Sequence, residues 1–182
     1  MRIFMTILLL LVSFDTTVSA QEDSKKVASL KDDVSKHVEN NKKLIQEIVD
    51  SLFSFSELGF QEFETQRYVG NLLEENGFSV KKGVAGLPSG WWATWGSGHP
   101  VIALGTDVDG IPKASQKPGV AYKDPLIEGA PGHGEGHNSG MAVHIAAALA
   151  LKEVMERDNI PGTIVIWPGI AEELLAGKAF FT

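Results

Sequence analysis

The chain has no cysteine among its 182 residues. This absence excludes disulfide bonds, a thiol nucleophile, a thiolate metal ligand and a lipid-modified cysteine. A protein of this length without disulfides has to be stabilised by a hydrophobic core or by a bound metal. Its 43% hydrophobic and 21% charged residues are typical of a globular chain with one well-cored domain.

Clusters of basic residues are also lacking. Lysine and arginine together number 16 against 23 acidic residues, which gives a formal net charge of −7. Proteins bind nucleic acids largely by neutralising phosphates with lysine and arginine. The charge balance therefore argues against a nucleic-acid partner.

The first twenty residues differ from the rest of the chain. An apolar run, Ile3–Phe14, is too short to span a membrane comfortably and is followed by small residues that end at Ala20. This pattern predicts a cleaved secretory signal peptide over residues 1–20. An uncleaved membrane anchor is the alternative, which the charge of Asp15 directly after the run disfavours. We therefore expect a secreted or periplasmic protein, residues 21–182, with no stable membrane association after cleavage.

Hydrophobic periodicity divides the remainder into helices and short strands. A segment rich in glycine and proline, residues 110–140, is predicted to be a long functional loop. The order of strand, loop, helix and strand predicts an α/β fold in layers with a largely parallel sheet. The predicted helices cover residues 32–55, 62–75 and 139–158, and the predicted strands lie in FSVKKG, WWATWGS, the buried central run Val101–Leu104 and GTIVIWPG.

Polar side chains follow two of the predicted strands and precede the last helix. In a parallel α/β sheet the functional crevice lies beyond the carboxyl ends of the strands, so these side chains are expected to meet there. The three sets are Asp107 and Asp109; His133, Glu135 and His137; and Glu172 and Glu173.

Each set also has a simpler interpretation. The aspartates in TDVDGIP suit a turn, and the paired glutamates suit a solvated helix start. The segment PGHGEGHNSG has the glycine content of a phosphate-binding loop. It departs from the dinucleotide template, however, because Ser139 stands at the third glycine position, and it has no phosphate-loop lysine.

A metal site explains the three sets together. Imidazole and carboxylate groups bind zinc, manganese, cobalt or nickel, and catalytic sites keep one position open for water. Glu135 and His137 are two residues apart, so in an extended segment their side chains point to the same side. Of the adjacent Glu172 and Glu173, one can act as a base while the other binds the metal.

Four motifs in this order resemble the zinc-type metallopeptidases and amidohydrolases, which include aminoacylases, hippurate hydrolase and carboxypeptidases. The motifs are ELGFQE, TDVDGIP, GHGEGHNSG and AEE. GHGEGHNSG and DGIPKASQKPG are most similar to the branch that contains aminobenzoyl-glutamate hydrolase. The resemblance implies a three-layer α/β/α sandwich and a homodimer for a complete enzyme.

The resemblance also implies roles for individual residues. Glu135 stands where many relatives have a metal-bridging cysteine, and His137 and Glu173 match metal ligands. Glu172 matches the general base, and Asp109 would orient the site from behind the ligands. The implied cofactor is a pair of divalent ions, zinc or manganese, with cobalt or nickel as alternatives. Asp107 and His133 receive no firm role.

The implied reaction is hydrolysis of the amide bond of an N-acyl or aminobenzoyl amino acid that has a free carboxylate. The family also uses two histidine ligands further along the chain and an inserted lid or dimerisation domain. Here no histidine follows His144. We therefore expect residues 21–182 to be the N-terminal part of a truncated catalytic domain. The alternative is a non-catalytic metal-binding remnant of such an enzyme.

Overall fold

The computed structural model describes residues 23–181, which begin in a helix, α1, over residues 23–40. The helix predicted for residues 32–55 is therefore the end of α1 and the whole of α2, Lys42–Phe55. The two helices are separated at Asn41, whose side-chain amide donates to the carbonyl oxygen of His37 at 2.9 Å. Such local bonds compete with the helical pattern.

The predicted signal peptide lies outside the residues that the structure describes. Within residues 23–181, no helix is both long enough and apolar enough to cross a membrane.

The other helices and strands lie close to the residue ranges that hydrophobic periodicity predicts. The predicted helix at residues 139–158 begins two residues earlier than expected, so His137 lies in a helix and not in a loop. The elements are α3 (Phe63–Glu75), β1 (Ser79–Lys82), β2 (Trp91–Ser97), β3 (Val101–Asp107), α4 (His137–Arg157) and β4 (Gly162–Gly169), with short 3-10 helices at Val84–Gly86, Glu172–Leu174 and Gly177–Phe181.

The four strands form one mixed sheet in the order β1-β2-β4-β3. The α/β class is confirmed, but the expectation of a largely parallel sheet is wrong. β1 pairs with β2 and β2 pairs with β4 in antiparallel fashion, and only β3 and β4 are parallel. The connections explain this, because β1 and β2 are joined without a crossover helix, whereas α4 carries the chain from β3 back to the start of β4.

β3 is an edge strand, so its predicted central position is also wrong. Val101 is 53% exposed and Ile102 is 38% exposed. A short apolar run can form either a central strand or an edge strand. Its composition therefore does not show where in the sheet the strand lies. In the part of the chain that the structure describes, no strand pairs with the outer edge of β3.

The hydrophobic core lies between one face of the sheet and helices α2, α3 and α4. The opposite face carries Trp92, Val165 and Trp167, and against it lies the 3-10 helix Gly177–Phe181. The described residues thus form two layers, and the third layer of the expected sandwich is not among them. Fully buried core side chains include Ile48, Leu73, Trp91, Ile145, Ile164 and Ile166.

Candidate metal centre

The parallel pair β3 and β4 brings the polar residues together, because both strands end at the same edge of the sheet. Asp109 follows β3 and is completely buried. Its two side-chain oxygens accept hydrogen bonds from the backbone amides of Glu172 at 3.1 Å and Glu173 at 3.0 Å. One carboxylate therefore fixes the backbone of the turn that follows β4.

His137 is the first residue of α4 and is buried. Its Nδ1 lies 2.9 Å from the backbone oxygen of Asp109. A carbonyl oxygen only accepts hydrogen bonds, so Nδ1 carries a proton, and in the neutral imidazole Nε2 is then the nitrogen with the lone pair. Nε2 lies 3.7 Å from Oε2 of Glu135 and 3.9 Å from Oε2 of Glu172. Nε2 therefore faces the carboxylates of Glu135 and Glu172, whereas the nearest contact of Glu173 is between Oε1 and Nδ1, at 3.9 Å.

Glu135, His137, Glu172 and Glu173 form one cluster. Each offers a potential ligand atom, and these atoms all lie within 4.8 Å of one another. Divalent ions such as zinc hold nitrogen and oxygen ligands at about 2.0–2.2 Å, so two ligand atoms on opposite sides of one ion are at most about 4.4 Å apart. The donor set and its spacing fit a divalent ion after small side-chain adjustments.

The electrostatics of the cluster also favour a cation. Burial, followed by the negative charge of Glu135, raises the pKa of Glu173 above its ordinary value, and the charges of Asp109 and Glu172 act in the same direction. The imidazole of His137 acts in the opposite direction. Carboxylates crowded in this way are stabilised in their charged form by a positive ion.

Gly136 determines how Glu135 and His137 converge. The expected extended segment is absent from this stretch, because Gly136 has φ of 94°, in the left-handed region, and directly precedes α4. Residues other than glycine rarely adopt this conformation. The left-handed backbone at Gly136 therefore sets the angle between the two side chains, and the hydroxyl of Ser139 donates to the Gly136 oxygen at 2.7 Å.

Comparison with known proteins identifies relatives of this chain. A subunit of the p-aminobenzoyl-glutamate hydrolase of Escherichia coli is 33% identical over 143 residues, which are 79% of this chain and 30% of that protein. The N-acetyl-L-cysteine deacetylase of Bacillus subtilis is 33% identical over 130 residues, 69% of this chain and 29% of the relative. A dinuclear metal-binding peptidase of the M20 family from Bacillus subtilis has the same fold, with a TM-score of 0.57 at 24% identity over 77% of this chain and 39% of its own.

The chain belongs to the M20 family of peptidases and amidohydrolases. Within it, the chain falls in the branch of aminobenzoyl-glutamate hydrolase, as its motifs predict. No protein-family model matches the sequence. This M20 chain spans less than a third of the length of the curated relatives that it matches.

Two residues singled out in the sequence lie outside the cluster. Asp107 forms an ion pair with Lys178, whose Nζ lies 2.9 Å from Oδ1 of Asp107, and this bond raises the pKa of Lys178. His133 donates from Nε2 to the backbone oxygen of Leu52 at 3.0 Å. Burial lowers the pKa of His133. In this M20 chain Asp107 and His133 therefore each bind a residue outside the cluster, Lys178 and Leu52 respectively.

The motif ELGFQE contributes two glutamates for which sequence reasoning gave no role. The Glu57 carboxylate accepts from the amides of Glu64 and Thr65, both at 2.8 Å, and so caps the first turn of α3. Glu62 is buried and accepts from Ser89 and from the amide of Ala171. An acidic residue before a helix is typical of a solvated helix start, so the sequence carries no signal that Glu62 is buried.

Proposed function

We propose that this chain carries a metal-dependent amidohydrolase site of the M20 type. The observation that carries the proposal is the cluster of Glu135, His137, Glu172 and Glu173, held by buried Asp109 at the carboxyl edge of the parallel strands. One imidazole with a free Nε2 and three carboxylates match the ligand chemistry of zinc and manganese.

The residues divide into ligands and a base. Glu135, His137 and Glu173 would hold the ion, and Glu172 would take a proton from the attacking water and pass it to the leaving amine. A bound divalent ion supplies Lewis acidity, which acidifies water and polarises a carbonyl group. Asp109 supports both glutamates equally, because it accepts one hydrogen bond from each backbone amide.

We extend the proposal to two ions in a complete site. The dinuclear centre named for the Bacillus subtilis peptidase supports this extension. Among residues 23–181, no second group of three or more candidate ligand side chains is present, so the second ion would take ligands from outside them. Glutamate at position 135 favours harder ions such as manganese over ions that prefer thiolates.

The proposed substrate is an N-acyl or aminobenzoyl amino acid with a free carboxylate. The names of two relatives support it, since they specify aminobenzoyl-glutamate and N-acetyl-L-cysteine. A secreted or periplasmic location and a homodimeric complete enzyme are further parts of the proposal.

The decisive experiment pairs metal binding with hydrolysis. Calorimetry measures the affinity of the full chain for manganese and zinc, and product release is followed for N-acyl amino acids and aminobenzoyl-glutamate. Glu172→Gln should lower kcat by about 10²- to 10⁴-fold and leave the metal bound. Glu75→Gln, which makes the same change on an exposed residue of α3, should leave kcat unchanged. A chain that binds neither metal would contradict the proposal.

A non-catalytic metal-binding remnant is the second candidate. It is favoured by the single ligand cluster among the described residues. This candidate predicts metal binding that is weakened by His137→Ala, without hydrolysis of any of these substrates. Turnover that Glu172→Gln abolishes would exclude it.

A further inference from the structure

Three consecutive backbone amides in the turn after β4 are all held by buried carboxylates. Asp109 accepts from the amides of Glu172 and Glu173, and Glu62 accepts from the amide of Ala171 at 2.9 Å. Glu62 comes from the start of α3, far from Asp109 in the chain. Two separate elements therefore fix one short segment, which carries two of the four residues of the cluster.

The burial of Glu62 is unusual for a glutamate. Only 1% of the residue is exposed, and its second oxygen accepts from the hydroxyl of Ser89 at 2.7 Å. Isolated carboxylates are rarely buried, because removing the charge from water is costly. Neither the proposed ligands nor the proposed base uses Glu62, so the reaction itself does not account for its position.

The residue that Glu62 holds is the centre of the turn. Ala171 is completely buried and has φ of 52°, in the left-handed region where residues with a side chain are strained. Its carbonyl oxygen accepts from the amides of Leu174 at 3.2 Å and Ala176 at 3.3 Å. Gly59 packs so closely that a Cβ there would lie 2.9 Å from the Ala171 Cα. The surroundings thus impose a conformation that alanine does not prefer.

We propose that Glu62 is a positioning residue for the metal centre. It holds Ala171 in the strained turn and so directs Glu172 and Glu173 toward Glu135 and His137. Asp109 fixes the two amides beyond Ala171, and Glu62 fixes the amide of Ala171 itself, through which the chain enters the turn. The inference rests on the proposed metal site and adds a residue from the start of α3 to its support. Substitution of residues that orient metal ligands without touching the metal commonly lowers metal affinity by about 10- to 100-fold.

Three variants distinguish an effect of Glu62 on the position of the metal ligands from an effect on the stability of the whole fold. Glu62→Ala removes both hydrogen bonds. Glu62→Gln keeps an oxygen that accepts from Ala171 and gains an amide that can donate to the Ser89 hydroxyl. Glu57→Ala truncates the neighbouring glutamate of the same motif, which caps α3 through the amides of Glu64 and Thr65. The measurements are the manganese dissociation constant, the absorption spectrum of bound cobalt and the thermal midpoint, all on the full chain.

We expect Glu62→Ala to raise the dissociation constant by about tenfold or more and to alter the cobalt spectrum. Glu62→Gln should restore both to near the wild-type values. Glu57→Ala should lower the thermal midpoint and leave both metal readouts unchanged. The inference is wrong if folded Glu62→Ala binds manganese like the wild type, or if Glu57→Ala weakens binding as much. A wild-type chain that binds no metal would instead overturn the proposed function.

Ser89→Ala covers the case in which Glu62→Ala does not fold. This variant removes one of the two hydrogen bonds to Glu62 and leaves the carboxylate in place. Hydrogen exchange in the peptide containing Ala171 should become faster, and manganese affinity should fall by a smaller factor. Unchanged exchange and unchanged affinity would contradict the inference.

Discussion

Among single residues, Asp109 positions two residues of the site at once, because its two oxygens accept hydrogen bonds from the adjacent backbone amides of Glu172 and Glu173. Asp109→Asn presents an amide group to one of these N–H donors, which leaves that part-buried donor unpaired at a cost of up to about 1–3 kcal/mol. We expect a lower free energy of unfolding in urea and a manganese affinity reduced by about 10- to 100-fold. Asp124→Asn, which affects a surface pair with Lys117, is the control and should bind manganese normally.

Glu62 gives the protein a pH dependence of stability. Burial raises its pKa, and the hydrogen bonds from Ser89 and Ala171 offset this only in part. The folded state then holds the proton more tightly than the unfolded chain, so the free energy of unfolding falls as pH rises through the interval between the two pKa values. Glu62→Gln has no such proton to lose. In urea titrations without metal, its stability relative to the wild type should increase from acid to neutral pH. A difference that stays constant with pH would contradict this.

The sequence predicted the residues of the cluster better than the residues that support it. Ligand chemistry and position at strand ends or before the last helix single out seven residues, and the family resemblance selects Glu135, His137, Glu172 and Glu173 among them as ligands and base. The structure brings these four together. Glu62 could not be predicted in this way, because its burial depends on contacts with Ser89 and Ala171, which are 27 and 109 residues away in the chain. Residue type alone does not report such contacts.

At the scale of elements, the start of α4 determines the ligand geometry. Gly136 has φ of 94°, and alanine in this region costs about 1–2 kcal/mol. Gly136→Ala should therefore lower stability and also weaken manganese binding, because His137 directly follows the strained residue. Gly119 offers a matched control, since it has φ of 78° and open space at its Cβ position. Gly119→Ala should lower stability by a similar amount and leave manganese affinity unchanged, with urea unfolding and calorimetry as the measurements.

The existence of the elements was predictable, but their directions were not. Alternating and continuous apolar patterns located β1, β2, β3 and β4, whose hydrogen-bonding partners lie on other segments. The crossover through α4 makes β3 parallel to β4, and the short connection without a crossover helix makes β1 and β2 antiparallel. Apolar patterns carry no information on strand direction, which depends on how the strands are connected.

At the scale of the whole molecule, residues 23–181 cover one side of the sheet only in part, with the 3-10 helix Gly177–Phe181. Trp92, Val165, Trp167 and Phe181 line a cavity of about 220 Å³ on the face opposite the core. The outer edge of β3 adds exposed Val101 and Ile102. Large exposed apolar surfaces and unpaired strand edges both promote association between chains. The relatives are more than three times as long as the matched segment, so in such proteins further chain is available to cover a surface of this kind.

Association through the edge of β3 should therefore be measurable for this chain. Val101 lies at the start of the edge strand and is 53% exposed, so Val101→Lys places a charge there without removing a core contact. Lysine on an edge strand opposes pairing with a second strand. Sedimentation velocity over a dilution series should show less dimer and larger species for Val101→Lys than for the wild type. Val143→Lys makes the same change at an exposed valine on α4 and should not alter association. Equal effects of the two variants would show that net charge, and not the edge of β3, controls association.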